Sequence, residues 1–294
     1  MHEGRYAGFT VTMRADGVAW LELDAPERLN GMTGDLKRDL VETLTQAQLD
    51  PTVRVVVFTG SGRAFCAGDD MAQYTRAQPD RRTAPIHHGH DDPLGTYAGL
   101  RTISQAVVRS VRALDKLSIA AINGVAIQSG FSLALACDFR VASRTARLGS
   151  ATLRFGLLPD EGGQYLLVQH LGVARAMDFL MRRRIVDADE AHQLGLVHEV
   201  VEPDQLVAHA LALARELADG PQAAMRLLKR AIYTAAEVGL ERSLEDIASK
   251  TAVADHHPDA REGVAAWREK RSPRFNQAPR GRAGSNTSPD TEQT

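Results

Sequence analysis

The chain has 294 residues, 44% of them hydrophobic, enough to fill one α/β core with an appended helical part. Its 35 Lys and Arg against 37 Asp and Glu give a formal net charge of -2, which excludes an overall positive field that would draw nucleic acid or an anionic membrane. Cys66 and Cys137 are too few for a disulfide framework or a cysteine-rich zinc site, the start "MHEGRYAGFT" lacks the apolar core of a signal peptide, and no run has the length of a membrane span. The expectation is a cytoplasmic, soluble protein with a small-molecule partner.

In chain order, "TVTMRADGVAWLEL" at 10–23 alternates around Asp16-Gly17, a pair that tolerates positive φ, and predicts a β-hairpin. From Asp35 to Leu49, Leu36, Leu40, Val41 and Leu44 recur at helical spacing, and "VRVVVFTG" at 53–60 is a buried strand. Residues 75–99, rich in Pro, Gly and charge, predict a variable loop, either a long loop or one containing a short helix. A second strand at 118–122 leads through a glycine turn to a short buried helix over Phe131 to Cys137. Strands "FRVAS" and "ARLGS" follow, then the turn "GLLPDEGG" at 156–163. Beyond Gly163 the pattern is helical apart from "LVHEVV" at 196–201, with Pro203, Pro221 and Pro258 where helices can begin. The expected organisation is a core over 1–200, a helical region over 201–275 and a polar, disordered tail over 276–294.

Three turns can carry chemistry. "RAFCAGDD" at 63–70 follows a strand, where spare backbone N–H groups and small residues suit an oxyanion; it reads equally as a strand-to-helix connection capped by Asp69 or Asp70. "NGVAIQSG" at 123–130 leads into a helix whose N-terminus, around Ser129, offers unpaired N–H groups, although its glycines serve packing as well. Pro159, Asp160 and Glu161 make a good helix start and need no other role. A serine hydrolase does not fit, since Ser129 and Ser132 lie outside a G-x-S-x-G turn. His87, His88 and His90 lack the helical spacing of a zinc motif, so no metal is expected. "MRRRI" at 181–185 reads as a solvated basic face.

The three turns, in this order, resemble the crotonase family, also called the enoyl-CoA hydratase/isomerase family, over roughly residues 8–275. "LNGMTGDLKRDL" is similar to its first acyl-CoA segment, "GRAFCAGDDM" to its FxAGxD turn, and "AINGVAIQSGFSLALACDFRVAS" to its NGxAxGGGxxLALACDxRIA block. "GLLPDEGG" is similar to GLxPxxGG and "EGVAAWREKRSPRF" to the C-terminal helix. The resemblance implies an α/β spiral of ββα units with a C-terminal helical trimerisation region, assembled as a homotrimer or a dimer of trimers. It implies an acyl-CoA substrate, whose coenzyme A is the only cofactor needed. It also implies an oxyanion hole from the N–H groups of Ala67 and Ser129, with Ala67, Gly68, Asp69 and Asp70 along the substrate entry.

Where typical hydratases of that family carry two glutamates, this chain has Ser132 and Thr152, and Ser129 stands where a glycine is usual. Asp160 matches the proton-transfer aspartate of dienoyl-CoA isomerases. One carboxylate can take a proton from the α-carbon and return it at the γ-carbon, whereas adding water needs both an oriented nucleophile and a delivered proton. The expectation is a Δ3 to Δ2 enoyl-CoA isomerase with Asp160 as the shuttle, made more basic by burial beside Leu157 and Leu158, and Glu161 as a cap. A hydratase or dehydratase using Asp160 or Glu161, other crotonase chemistry such as thioester hydrolysis, decarboxylation or ring cleavage, and a non-catalytic acyl-CoA-binding protein are the alternatives.

Overall fold

The computed structural model describes residues 1–70 and 92–277. Its strands are β1 (Gly4–Tyr6), β2 (Phe9–Arg14), β3 (Val18–Leu23), β4 (Val55–Gly60), β5 (Ala64–Cys66), β6 (Leu117–Ile122), β7 (Val125–Ile127), β8 (Phe139–Ser143), β9 (Arg147–Gly149), β10 (Ile185–Asp187) and β11 (Glu199–Val201). They form a sheet ordered β1-β2-β3-β4-β6-β8-β11 and a smaller one ordered β10-β9-β7-β5. The expected hairpin is β2-β3, closed by Asp16 at φ 66° and Gly17 at φ 80°.

From β3 to β11 the large sheet is parallel, and β3, β4, β6 and β8 are largely buried on both faces. One face carries Ala19, Leu21, Val56, Phe58, Ala120 and Ile122 into the main core. The other carries Val18, Trp20, Val55, Val57, Ile119 and Val141 against a late helix. Period-two alternation therefore survives in the packing although both faces are largely apolar.

Each central strand of the large sheet is followed by a short strand of the small one: β4 by β5, β6 by β7, β8 by β9. Because β5, β7 and β9 are parallel neighbours, the turns leaving their carboxyl ends converge. Those turns are the three singled out from the sequence.

The helices are α1 (Gly34–Leu49), α2 (Pro93–Gly99), α3 (Gln105–Ala113), α4 (Ser129–Ala136), α5 (Gly163–Met181), α6 (Ala188–Gln193), α7 (Leu206–Asp219), α8 (Gln222–Ala235), α9 (Leu240–Asp255) and α10 (Pro258–Glu269). Thr33 caps α1 by accepting from Leu36 N–H, and Leu36, Leu40 and Leu44 fill its buried stripe. All eight residues of α4 are buried. Helix α7 lays Leu206, Ala210, Ala214 and Ala218 on the second face of the sheet, alanines at four-residue spacing allowing close approach.

Of the expected loop at 75–99, residues 92–99 include α2, which starts at its Asp92 cap, and 75–91 lie outside the described residues with His87, His88 and His90. So does the tail from 278 on. "MRRRI" is not simply a solvated face: Arg184 Nη1 lies 3.0 Å from Asp178, and Ile185 begins a strand paired to β9. No described helix is long and apolar enough to cross a membrane.

Candidate active site

The turn after β5 is strapped down by the "NGM" segment. Met32 N–H donates to Gly68 O at 2.8 Å and Asp70 N–H to Met32 O at 3.0 Å. Asn30, fully buried, binds Ala25 N–H with its Oδ1 and the carbonyls of Ser61 and Ala64 with its Nδ2. These residues therefore brace the turn.

Ala67 N–H donates to Leu29 O at 3.0 Å. That bond corrects the expectation that Ala67 offers its N–H to an oxyanion: the fold uses it to hold the strap. Asp69 N–H, two residues on, makes no hydrogen bond among the described residues. It follows Gly68, whose φ of 104° turns the chain.

The facing turn leaves β7 through Gln128, at φ 55° and ψ -120°, and enters α4 at Ser129. Ser129 N–H is likewise without a hydrogen bond among the described residues, at the positive end of a helix. The two turns are in backbone contact: a Cβ on Gly130 would lie 2.1 Å from Cys66 O, so only glycine fits. Two free N–H groups thus sit on adjoining turns.

A charged network joins them. Lys37 Nζ lies 2.7 Å from Asp69 Oδ2 and 2.9 Å from Ser104 Oγ. Ser129 Oγ is in hydrogen-bond contact with Asp69 Oδ1 and lies 2.8 Å from Glu161 Oε1. Asp70 pairs instead with Arg28, Nη1 to Oδ2 being 3.0 Å.

The third turn does not start a helix at Pro159. Helix α5 begins at Gly163, after Gly162 at φ 109°, and no side chain caps it. Glu161, expected as a cap, instead points inward and is only 7% exposed, with Oε2 sealed from solvent and unpartnered among the described residues. Burial, then the charges of Asp69 and Asp160, push its carboxyl up to about 7.

Asp160 is half-buried, and Gln105 Nε2 holds its backbone carbonyl at 3.0 Å. Burial and then the charge of Asp69 raise its carboxyl above the usual aspartate range. The expected contribution of Leu157 and Leu158 is not seen within one chain, where they are 52% and 67% exposed. Ser132 and Thr152 are both buried, and Ser132 Oγ sits where a Cβ on Gly163 would reach it at 2.7 Å. Burial pushes the Cys66 thiol up to about 12, which leaves it no nucleophilic role.

Of the six residues singled out, Asp69, Ser129 and Asp160 share one electrostatic neighbourhood, Gly68 shapes it, Ala67 is braced away, and Asp70 belongs to the rim. Lys37 and the inward turn of Glu161 were not read from the sequence. Lys37 had a signal, since 37, 40 and 44 lie on one helical stripe and a lysine among two leucines there needs a buried partner.

The family model described as "Enoyl-CoA hydratase/isomerase" matches residues 13–278. The chain belongs to the enoyl-CoA hydratase/isomerase family. It is 37% identical over 265 residues to a 1,2-epoxyphenylacetyl-CoA isomerase of Escherichia coli, covering 88% of this chain and 95% of that one. It is 29% identical to a crotonyl-CoA hydratase of Syntrophomonas wolfei, covering 89% and 95%. The crystal structure of an enoyl-CoA hydratase from Bacillus anthracis superposes with a TM-score of 0.83 at 30% identity, over 92% of this chain and 99% of that one. The fold is accordingly the crotonase fold, and its pairing of large-sheet and small-sheet strands is the spiral expected from the resemblance.

Proposed function

We propose that this family member is an acyl-CoA thioester isomerase that moves a double bond from Δ3 to Δ2, with Asp160 as the proton shuttle. The observation that carries the reading is a half-buried aspartate of raised pKa beside two unpaired N–H groups, while Ser132 and Thr152 stand where a hydratase of the family would hold glutamates. In this reading the thioester oxygen accepts from Asp69 N–H and Ser129 N–H, so charge developing as the α-proton leaves meets preorganised donors. Asp160 removes that proton and returns it at the γ-carbon. Its raised pKa suits the task, since a carboxylate made more basic by burial takes a proton more readily than an ordinary aspartate. Coenzyme A arrives with the substrate, no resident cofactor is needed, and the two free cysteines are in keeping with work in the cytoplasm.

The hydratase reading is favoured by the activities named for the Syntrophomonas wolfei and Bacillus anthracis relatives. Incubation with a 3-enoyl-CoA and, separately, with a 2-enoyl-CoA distinguishes the two. Isomerisation gives the conjugated 2-enoyl-CoA; formation of 3-hydroxyacyl-CoA alone would sink the isomerase reading. No turnover of either isomer, with acyl-CoA still bound, would favour a binding protein.

The C-terminal helices support the proposed homotrimer or dimer of trimers. Helix α9 has no buried residue in the isolated chain, and Leu228, Ile232, Leu244 and Trp267 are exposed on α8 to α10.

A further inference from the structure

Ser129 Oγ touches two carboxyl groups, Asp69 Oδ1 and, at 2.8 Å, Glu161 Oε1. A serine hydroxyl has one proton, and an ionised carboxylate can only accept. With both acids ionised, one of the two contacts sets bare oxygen against bare oxygen. A single proton on Glu161 removes the conflict: Glu161 O–H donates to Ser129 Oγ, Ser129 O–H donates to Asp69, and Lys37 neutralises Asp69 from the far side at 2.7 Å.

The remaining oxygen of Glu161 agrees. Oε2 is buried without a partner among the described residues. For a carboxylate that means a stranded charge, which is costly; for a neutral carboxylic acid it is only an unmatched carbonyl oxygen. Among the described residues, the groups facing Glu161 are Asp69, Lys37, the neutral Cys66 thiol and Asp160, whose carboxyl is in hydrogen-bond contact with it, so two acids share one lysine before Glu161 is counted. Among these groups a third negative charge has no compensation.

We propose that Glu161 works in its neutral form as a positioning residue, its proton holding Ser129 against Asp69 so that their two backbone N–H groups keep a fixed spacing toward the thioester oxygen. This rests on the isomerase reading only for the identity of the reaction. When Glu161 ionises, the hydroxyl must let go of one carboxylate, and the Ser129 end of α4 loses its tie to the Asp69 turn. The predicted outcome is an alkaline fall in kcat/KM with a midpoint near the value of about 7 to which Glu161 is raised. Asp160, which must be ionised to act, gives the opposite, acid-side fall; since the groups interact, the midpoints belong to the pair.

Two measurements test it on the full chain. With glutamate side chains labelled at Cδ, ¹³C NMR should show one resonance titrating near neutrality, missing from Glu161→Gln. Kinetically, Glu161→Ala should lose at least roughly tenfold in kcat/KM on the acid side of the wild-type alkaline fall, about the loss of one hydrogen bond in a preorganised site, and the difference should shrink above it, where the wild type has itself lost the contact. Glu161→Gln, whose amide can still donate to Ser129 Oγ, should regain most of that loss and lack the alkaline fall. A Glu161 resonance titrating in the ordinary glutamate range, or an alkaline fall that persists in Glu161→Gln, overturns the proposal. So does a Glu161→Gln no better than Glu161→Ala. If the titration is found but no acyl-CoA is isomerised, the isomerase reading fails while the proton on Glu161 stands.

Discussion

In the proposed mechanism the adjacent acids Asp160 and Glu161 have opposite requirements, one ionised to act and the other protonated to hold Ser129. Replacing Asp160 by Asn should cost roughly a hundred- to ten-thousandfold in kcat, the usual worth of a general base, with folding intact by circular dichroism. The raised carboxyl of Glu161 also bears on stability. Its folded pKa of about 7 lies above the ordinary 4.5, so the folded chain binds this proton more tightly than the unfolded one. Its contribution is fully present below the ordinary value and lost as pH rises toward the folded value. Glu161→Gln does not titrate, so its unfolding free energy relative to wild type should rise by roughly 3 kcal/mol between about pH 5 and about pH 8. Urea denaturation at the two pH values checks this; a constant difference would mean that Glu161 ionises at its ordinary value.

At the scale of elements, the site depends on three strand ends and the backbone that lets them meet. The Gly130 position has no room for a side chain, its Cβ direction ending 2.1 Å from Cys66 O. Gly130→Ala should therefore destabilise the chain by roughly 1–3 kcal/mol or more, measured by thermal unfolding, because the obstacle is backbone rather than a flexible side chain. An unchanged melting temperature would show that the two turns are not in contact.

The elements also show what the sequence could disclose. The Asp16-Gly17 hairpin, α1 and the buried strands β4, β6 and β8 were legible because each has a local period or turn chemistry of its own. Strands β5, β7 and β10, three residues each, had no period to read and exist through pairing with distant partners. The turn at 156–163 was misread as a helix start because Pro159 followed by acids fits a first turn, whereas Gly162 at φ 109° delays the helix to Gly163. Ala67 was chosen by motif position, and only the bond to Leu29 O reveals that its N–H is spent. Two of the three carboxyl groups in the site, Asp69 and Asp160, were named from sequence; the inward turn of Glu161 depends on tertiary contact with Ser129.

At the scale of the molecule, the unpartnered C-terminal helices ask for a second copy. Leu228 is 52% and Ile232 59% exposed on α8, and Trp267 79% exposed on α10. Sedimentation velocity should give a trimer or hexamer, and the double variant Ile232→Glu, Trp267→Glu should shift it toward monomer. A wild-type chain that sediments as a monomer at micromolar concentration would contradict the assembly.

The central claim is double-bond migration by Asp160. The most direct measurement is ¹H NMR of a 3-enoyl-CoA incubated in D₂O with wild type and with Asp160→Asn. The account predicts the 2-enoyl-CoA from wild type and its loss in Asp160→Asn, with no 3-hydroxyacyl-CoA needed along the way. Hydration without migration, or undiminished migration in Asp160→Asn, would contradict it.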